Sequence, residues 1–446
     1  MMKQLHRKIT SWAGLLLLAA LLISCAKESS VVDSPEVKQP TQPTQPAQSP
    51  IALSAYTAQP IASTRADEDF LAEHGIPNEK SIGVYAYYHP GTDSDGDGDI
   101  ENGVWSDDAT PNFMFNQLAT NDADKDGFSY SPLKYWPNTD QDKLSFFGYY
   151  PYTTTFGKNN SSGDINGISL IKPSNDVELP TSNDPGLPAF EFTVKDKVDE
   201  QVDFLISDLL TGLPNGTSAV SPSSATDRSS LTIVDKVRLL FHHATSKVTI
   251  RIAVDDKIRE DFMSMTISNL QLTNIWRKGT VTPSYAPATG TTIDVTEDTT
   301  DPEHYQTTYT IVKADPDPEK TINHIKDCCL MLPQTLAYVE NDAANTANLN
   351  ITYSVTLRSH GTVYTYDDDG NPVETDHYTY GNTASLPLAK LKLSGSSSEI
   401  NTWLPNHHYI YTIRLTANRI EFTGEVVEWG QEVPWDNIVV DQIGGS

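Results

Sequence analysis

Oxygen donors are concentrated in one short run, Asp93-Ser94-Asp95-Gly96-Asp97-Gly98-Asp99-Ile100-Glu101. Carboxylates at alternate positions can converge on a hard cation, which takes six to eight oxygen ligands, and a glycine at position six permits the sharp turn such a loop needs. Calcium is therefore the candidate cation for Asp93, Asp95, Asp97, Asp99 and Glu101. The run departs from a helix-flanked calcium loop at position twelve, where Val104 replaces a bidentate glutamate. A second run, Asp122, Asp124 and Asp126 before Gly127, repeats the opening and has Leu133 at its position twelve. The alternative for both runs is a solvated acidic insertion. Nothing in the sequence calls for a required cofactor.

Other reactive residues carry less. Cys328 and Cys329 are adjacent, so on a strand they face opposite sides and are expected as two free thiols, one buried and one nearer the surface. His242-His243 and His407-His408 sit beside apparent strands with no third ligand at metal-binding spacing. The chain holds no Gly-x-Ser-x-Gly, no His-Glu-x-x-His and no phosphate-binding glycine loop. The expectation is a protein that is not an enzyme. With 59 acidic against 31 basic residues the formal net charge is −28. That charge repels phosphate backbones, so no nucleic-acid partner is expected.

The elements that would position these residues read as strands. Leu349, Ile351, Tyr353, Val355 and Leu357 alternate with polar neighbours, as do Val248–Val254 and Tyr409–Leu415. Two-residue alternation describes a strand with one wet face. Further strands are expected at Ser81–His89, Lys143–Tyr150, Phe190–Lys195, Val237–His242, Met265–Ile275, Thr308–Lys313 and Cys328–Leu332. Thr362–Tyr366 and Glu374–Tyr380 flank an Asp-Gly turn and read as a hairpin. The best helical stretch, Val254–Met263, is short. The fold class is all-β, built of antiparallel sandwiches. The polar stretch Ser218–Ser230 separates two strand-rich halves, with a boundary near residue 235.

The N-terminus carries an address. Lys3, Arg7 and Lys8 precede an apolar run from Trp12 to Ile23, too short to span a bilayer and suited to a secretory signal over residues 1–24. It ends in Leu22-Ile23-Ser24-Cys25, which resembles a bacterial lipobox. That resemblance implies cleavage before Cys25 and acylation of its thiol, with attachment to the outer membrane through lipid alone. Residues 25–65 form a polar leader with proline at every third position over Pro40–Pro46. Their three basic and three acidic side chains cancel, which leaves 25 basic against 56 acidic residues, or −31, on residues 66–446. Within the leader, Ile51, Leu53 and Ala55 alternate with Ala52, Ser54 and Tyr56, as a removable strand would.

Several stretches together resemble the fimbrillin family, the lipoprotein-derived type V pilins of Bacteroidales-type bacteria. They are Thr64-Arg65-Ala66, Ser81-Ile82-Gly83-Val84-Tyr85-Ala86-Tyr87, Tyr135-Trp136-Pro137 and Leu144–Pro151. Val202–Ser207, Leu240–Val248, Leu332-Pro333-Gln334, Tyr409–Ile413 and Val426–Trp429 follow in order. The resemblance implies two transthyretin-like β-sandwich domains, here 66–235 and 236–446. It implies cutting between Arg65 and Ala66 by an arginine-specific protease, then strand exchange with other fimbrial subunits at the cell surface. Asn437–Ile443 is one candidate donor strand; an internal edge strand is the other reading of it. The expected function is a structural or adhesive fimbrial subunit, with a host or bacterial surface receptor as a further partner. The alternative is a monomeric surface lipoprotein that binds a glycan or another ligand through Trp105, Trp136, Tyr378 or Tyr380, with calcium as a stabiliser. Shaft, tip and anchor roles look alike at this level.

Overall fold

The computed structural model describes residues 50–57, 75–122, 124, 127–158, 166–172, 178–195, 200–214, 236–255, 260–298, 307–310, 322–324, 329–393, 396–415 and 420–428. The chain is all-β. Its first ten strands are β1 (Leu53–Thr57), β2 (Ser81–His89), β3 (Met114–Asp122), β4 (Gly127–Tyr130), β5 (Lys143–Tyr150), β6 (Ile168–Ile171), β7 (Ala189–Thr193), β8 (Leu205–Ser207), β9 (Leu210–Pro214) and β10 (Val237–His243). They are followed by β11 (Ser246–Val254), β12 (Phe262–Ile275), β13 (Lys278–Ala286), β14 (Gly290–Glu297), β15 (Thr307–Thr310), β16 (Ile322–His324), β17 (Cys329–Met331) and β18 (Gln334–Thr335). The last five are β19 (Asn348–Tyr366), β20 (Pro372–Pro387), β21 (Thr402–Trp403), β22 (His407–Leu415) and β23 (Ile420–Glu428).

The first sheet runs in the order β2-β3-β4-β1-β10-β8-β5-β9, and β5 also pairs with β2. That extra ladder closes seven of the strands into a ring. A closed ring has no free edge except where a strand is missing. Its interior holds Ile82, Val84, Leu144, Phe146, Val237 and Leu239, all buried. The neighbours of these residues on β2 and β5, Tyr85, Tyr87, Phe147 and Tyr149, point outward into a second and larger core. Burial on both faces explains why β2 and β5 read as continuous apolar runs rather than alternating ones.

The larger core lies among three further sheets, ordered β14-β13-β7-β6, β16-β11-β22-β23 with β17 beside β11, and β15-β12-β19-β20; β18 and β21 form a separate pair. Val248, Ile250, Ile252, Tyr409, Tyr411 and Ile413 enter that core from β11 and β22, which run parallel. Ladders pass across the expected boundary near residue 235: β10 pairs with β1 and β8, and β7 pairs with β13. The polar stretch Ser218–Ser230 is outside the described residues.

Val254–Met263, expected as a short helix, is extended at both ends, since Val254 closes β11 and Phe262 opens β12. Valine, isoleucine and phenylalanine in that stretch satisfy either period, and the tertiary ladders decide. The expected hairpin at 362–380 is the outer part of a longer one, because β19 continues the alternating strand at Leu349–Leu357 without a break. Cys329 is buried, and Cys328 is outside the described residues.

Candidate functional site

The leader supplies a strand of the first sheet. Residues 53–57 run parallel to β10, with Leu53 opposite Val237, Ala55 opposite Leu239 and Thr57 opposite Phe241. On its other side β1 meets β4 through Leu53 and Phe128, antiparallel. The segment just before it is held as well. The Ile51 N–H donates to the Lys134 carbonyl at 2.9 Å, and the Tyr130 hydroxyl donates to the Ile51 carbonyl at 2.7 Å. The Val237 N–H donates to the Ala52 carbonyl at 2.8 Å. Ile51 and Leu53 are buried in the ring interior, with Ala55 packed at its margin. The alternation in the sequence placed these side chains on one face, as a half-buried strand requires.

The expected cutting position, Arg65-Ala66, follows this strand and is outside the described residues, as are Cys25 and the candidate donor Asn437–Ile443. Of the residues that grip the leader strand, Val237–Phe241 were expected as a strand but not as its partner, and Phe128, Tyr130 and Lys134 were not singled out. Parallel pairing between strands so distant along the chain leaves no local signal to find them by.

The acidic loop follows β2. One oxygen from each of Asp93, Asp95, Asp97 and Glu101 comes within 4.8 Å of the others. Asp99 is not in that group. The Asp93 carboxylate accepts from the Gly96 N–H at 2.7 Å and from the Gly98 N–H at 3.1 Å, while the Ser94 N–H reaches Glu101 at 2.8 Å. Gly96 and Gly98 sit at φ of 78° and 93°, a left-handed backbone that favours glycine. The Ser94 N–H is the main reason the Glu101 carboxyl is held below its ordinary range. Glu101 thus closes the loop from position nine, brought round by paired backbone bonds between Thr92 and Glu101. An exposed, oxygen-only donor set of this kind fits calcium by its chemistry, not a thiophilic or imidazole-seeking metal.

In the second acidic run, the Asp122 carboxylate is engaged locally. It accepts from the Asp124 N–H at 3.1 Å and from the Ser129 hydroxyl at 2.7 Å. Asp126 is outside the described residues. The histidine pairs serve packing. His243 lies 2.7 Å from the buried carboxylate of Asp203, His242 lies 3.3 Å from Asp208, and His408 bonds the Thr249 hydroxyl at 2.8 Å. Trp136 is buried edge-on against Phe146, and Trp105 packs edge-on against Tyr87. Tyr378, in contrast, is exposed and stacks on Tyr380.

A family model described as fimbrillin-like matches residues 64–429. No curated protein matches the chain. Among solved structures, a fimbrial protein from Bacteroides vulgatus is 18% identical, with 85% of this chain and 99% of that one covered, at a TM-score of 0.47. A fimbrilin from Porphyromonas gingivalis is 9% identical, with 88% and 98% covered, at a TM-score of 0.38. A tip fimbrial protein from the same species, with a C-terminal truncation, is 11% identical, with 79% and 95% covered, at a TM-score of 0.29.

Proposed function

The chain belongs to the fimbrillin-like family, and from that premise we propose that it is a structural or adhesive subunit of a cell-surface fimbria that polymerises by strand exchange. In this reading the precursor is exported as a lipoprotein acylated on Cys25 and anchored in the outer membrane. An arginine-specific protease then cuts between Arg65 and Ala66. The leader leaves with its strand, and a strand from another subunit takes the vacated place. The role is non-enzymatic, and calcium orders the loop at Asp93–Glu101.

One observation carries the proposal: β1 completes the first sheet although it lies upstream of residue 64, where the family match begins. Its loss would uncover the pocket filled by Ile51 and Leu53, side chains worth roughly 1.5–3 kcal/mol each when buried. It would also leave unpaired the backbone groups of β10 that face it. A polypeptide strand satisfies both deficits together, which is the physical basis of strand addition to an open sheet.

The test is limited digestion of the folded precursor with an arginine-specific protease, followed by electron microscopy. Cutting at Arg65 should shorten the chain and give oligomer ladders and filaments. An Arg65→Ala precursor that polymerises as well as the parent under the same treatment would overturn the proposal.

A further inference from the structure

The hairpin of β19 and β20 outruns the sheet it belongs to. β12 accompanies β19 only as far as the pair Phe262 and Leu357, and beyond it the hairpin continues as a ribbon with no third strand among the described residues. Among the described residues β20 is the edge of this sheet over all 16 of its residues, and it is exposed along most of them. A two-stranded ribbon is marginal on its own, and a long open edge is a template for another strand.

The ribbon's side chains are sorted by register. Tyr378 and Tyr380 stand opposite Leu357 and Val355, which are buried, so the tyrosines lie on the side of the sheet that faces the core. After a register shift between Arg358 and Val363, Tyr364 and Tyr366 stand opposite Glu374 and Pro372 and fall on that same side. Tyr380 packs against the larger core, and Tyr378, Tyr364 and Tyr366 extend that face out to where, among the described residues, no opposing layer covers it. Tyr364 is 61% exposed, Tyr366 73% and Tyr378 42%. The rings are framed by carboxylates. Between Arg358 and His377 the ribbon carries Asp367, Asp368, Asp369, Glu374 and Asp376 against one arginine. The Asp376 carboxyl is held below its ordinary range chiefly by the His377 imidazole 3.0 Å away.

Charge decides the occupant. A second copy of this acidic edge would set like charges against each other. Aromatic faces ringed by carboxylates attract ammonium and guanidinium groups. We propose that the β19–β20 ribbon docks an extended, lysine- or arginine-rich segment of another protein. That segment adds as a strand to β20 and lays its cationic side chains over the tyrosines.

Fluorescence anisotropy on the intact, uncut chain tests this without requiring polymerisation, so its outcome is separate from that of the fimbrial reading. The probe is a labelled peptide of alternating lysine and threonine. Controls are its glutamate counterpart and a version methylated at alternate backbone nitrogens. Saturable binding of the lysine peptide is expected, with none of the glutamate peptide and about tenfold weaker binding of the methylated one. Tyr364→Ser with Tyr366→Ser and Tyr378→Ser should also weaken binding about tenfold, the sum of exposed cation–π contacts. If that variant proves misfolded by circular dichroism, Glu374→Gln with Asp376→Asn provides the same comparison. No binding would overturn the proposal. So would equal binding by the methylated peptide and the variants, which would reveal diffuse attraction to an acidic chain.

Discussion

Leu53 stands opposite Val237 in a parallel ladder, and both side chains are buried in the interior of one ring of strands. One belongs to the leader and the other to the body of the fold, so the stability of the body depends on a residue upstream of the family match. Leu53→Ala in the uncut chain should lower unfolding free energy by about 2–5 kcal/mol, as for other buried leucines. Urea denaturation measures this. An unchanged midpoint would mean that β1 contributes nothing to the ring.

Gly83 on β2 lies directly opposite Tyr149 on β5, and the tyrosine ring covers it. A Cβ placed on Gly83 would lie 2.0 Å from that ring. The ring cannot yield freely, because its hydroxyl donates to Asn116 at 2.6 Å within the buried interior. Gly83→Ala should therefore cost roughly 1–3 kcal/mol by overpacking. A thermal melt equal to that of the parent would refute the close approach.

Calorimetry at millimolar calcium should give heat with the folded chain, and Asp93→Asn with Asp95→Asn should abolish it. Glu101 titrates below its ordinary 4.5. The order that its contact with Ser94 lends the loop is therefore complete above the ordinary carboxylate range and is lost as pH falls through the lowered value. Absence of heat from the parent chain would leave the loop as a solvated acidic turn.

Burial, and secondarily the charge of Asp203, pushes the Tyr150 hydroxyl from 10.0 up to about 12. A raised pKa favours the neutral form in the folded state. The resulting stability is full below about pH 10 and is lost as pH rises through about 12. Tyrosinate absorbance should show Tyr150 ionising later than exposed tyrosines, together with unfolding. Tyr150→Phe should move the alkaline unfolding midpoint upward.

Much of this fold was legible because burial is written in the spacing of apolar side chains, alternating in β11, β19 and β22 and continuous in β2 and β5. Ser81–His89 and Lys143–Tyr150 emerge as β2 and β5 with the expected bounds. Leu53 and its neighbours also read correctly as a strand. Its place beside β10 did not, since alternation reports which face is wet and never which strand is adjacent. Glu101 was grouped with Asp93 from the sequence, but the backbone pairing at Thr92 that brings it round was hidden by the same limit. The hairpin was legible from its Asp-Gly turn, but not that Tyr364, Tyr366 and Tyr378 lack a sheet opposite them among the described residues.

The seating of β1 also governs what the chain presents to its surroundings before any cut. With β1 between β4 and β10, the seven-stranded ring closes, and no gap is left between those two strands. Under the proposed strand exchange, the leader would serve as a chaperone carried in cis. If the leader is trimmed as proposed, the same covalent chain that covers the β4–β10 seam would also set the moment at which that seam becomes sticky.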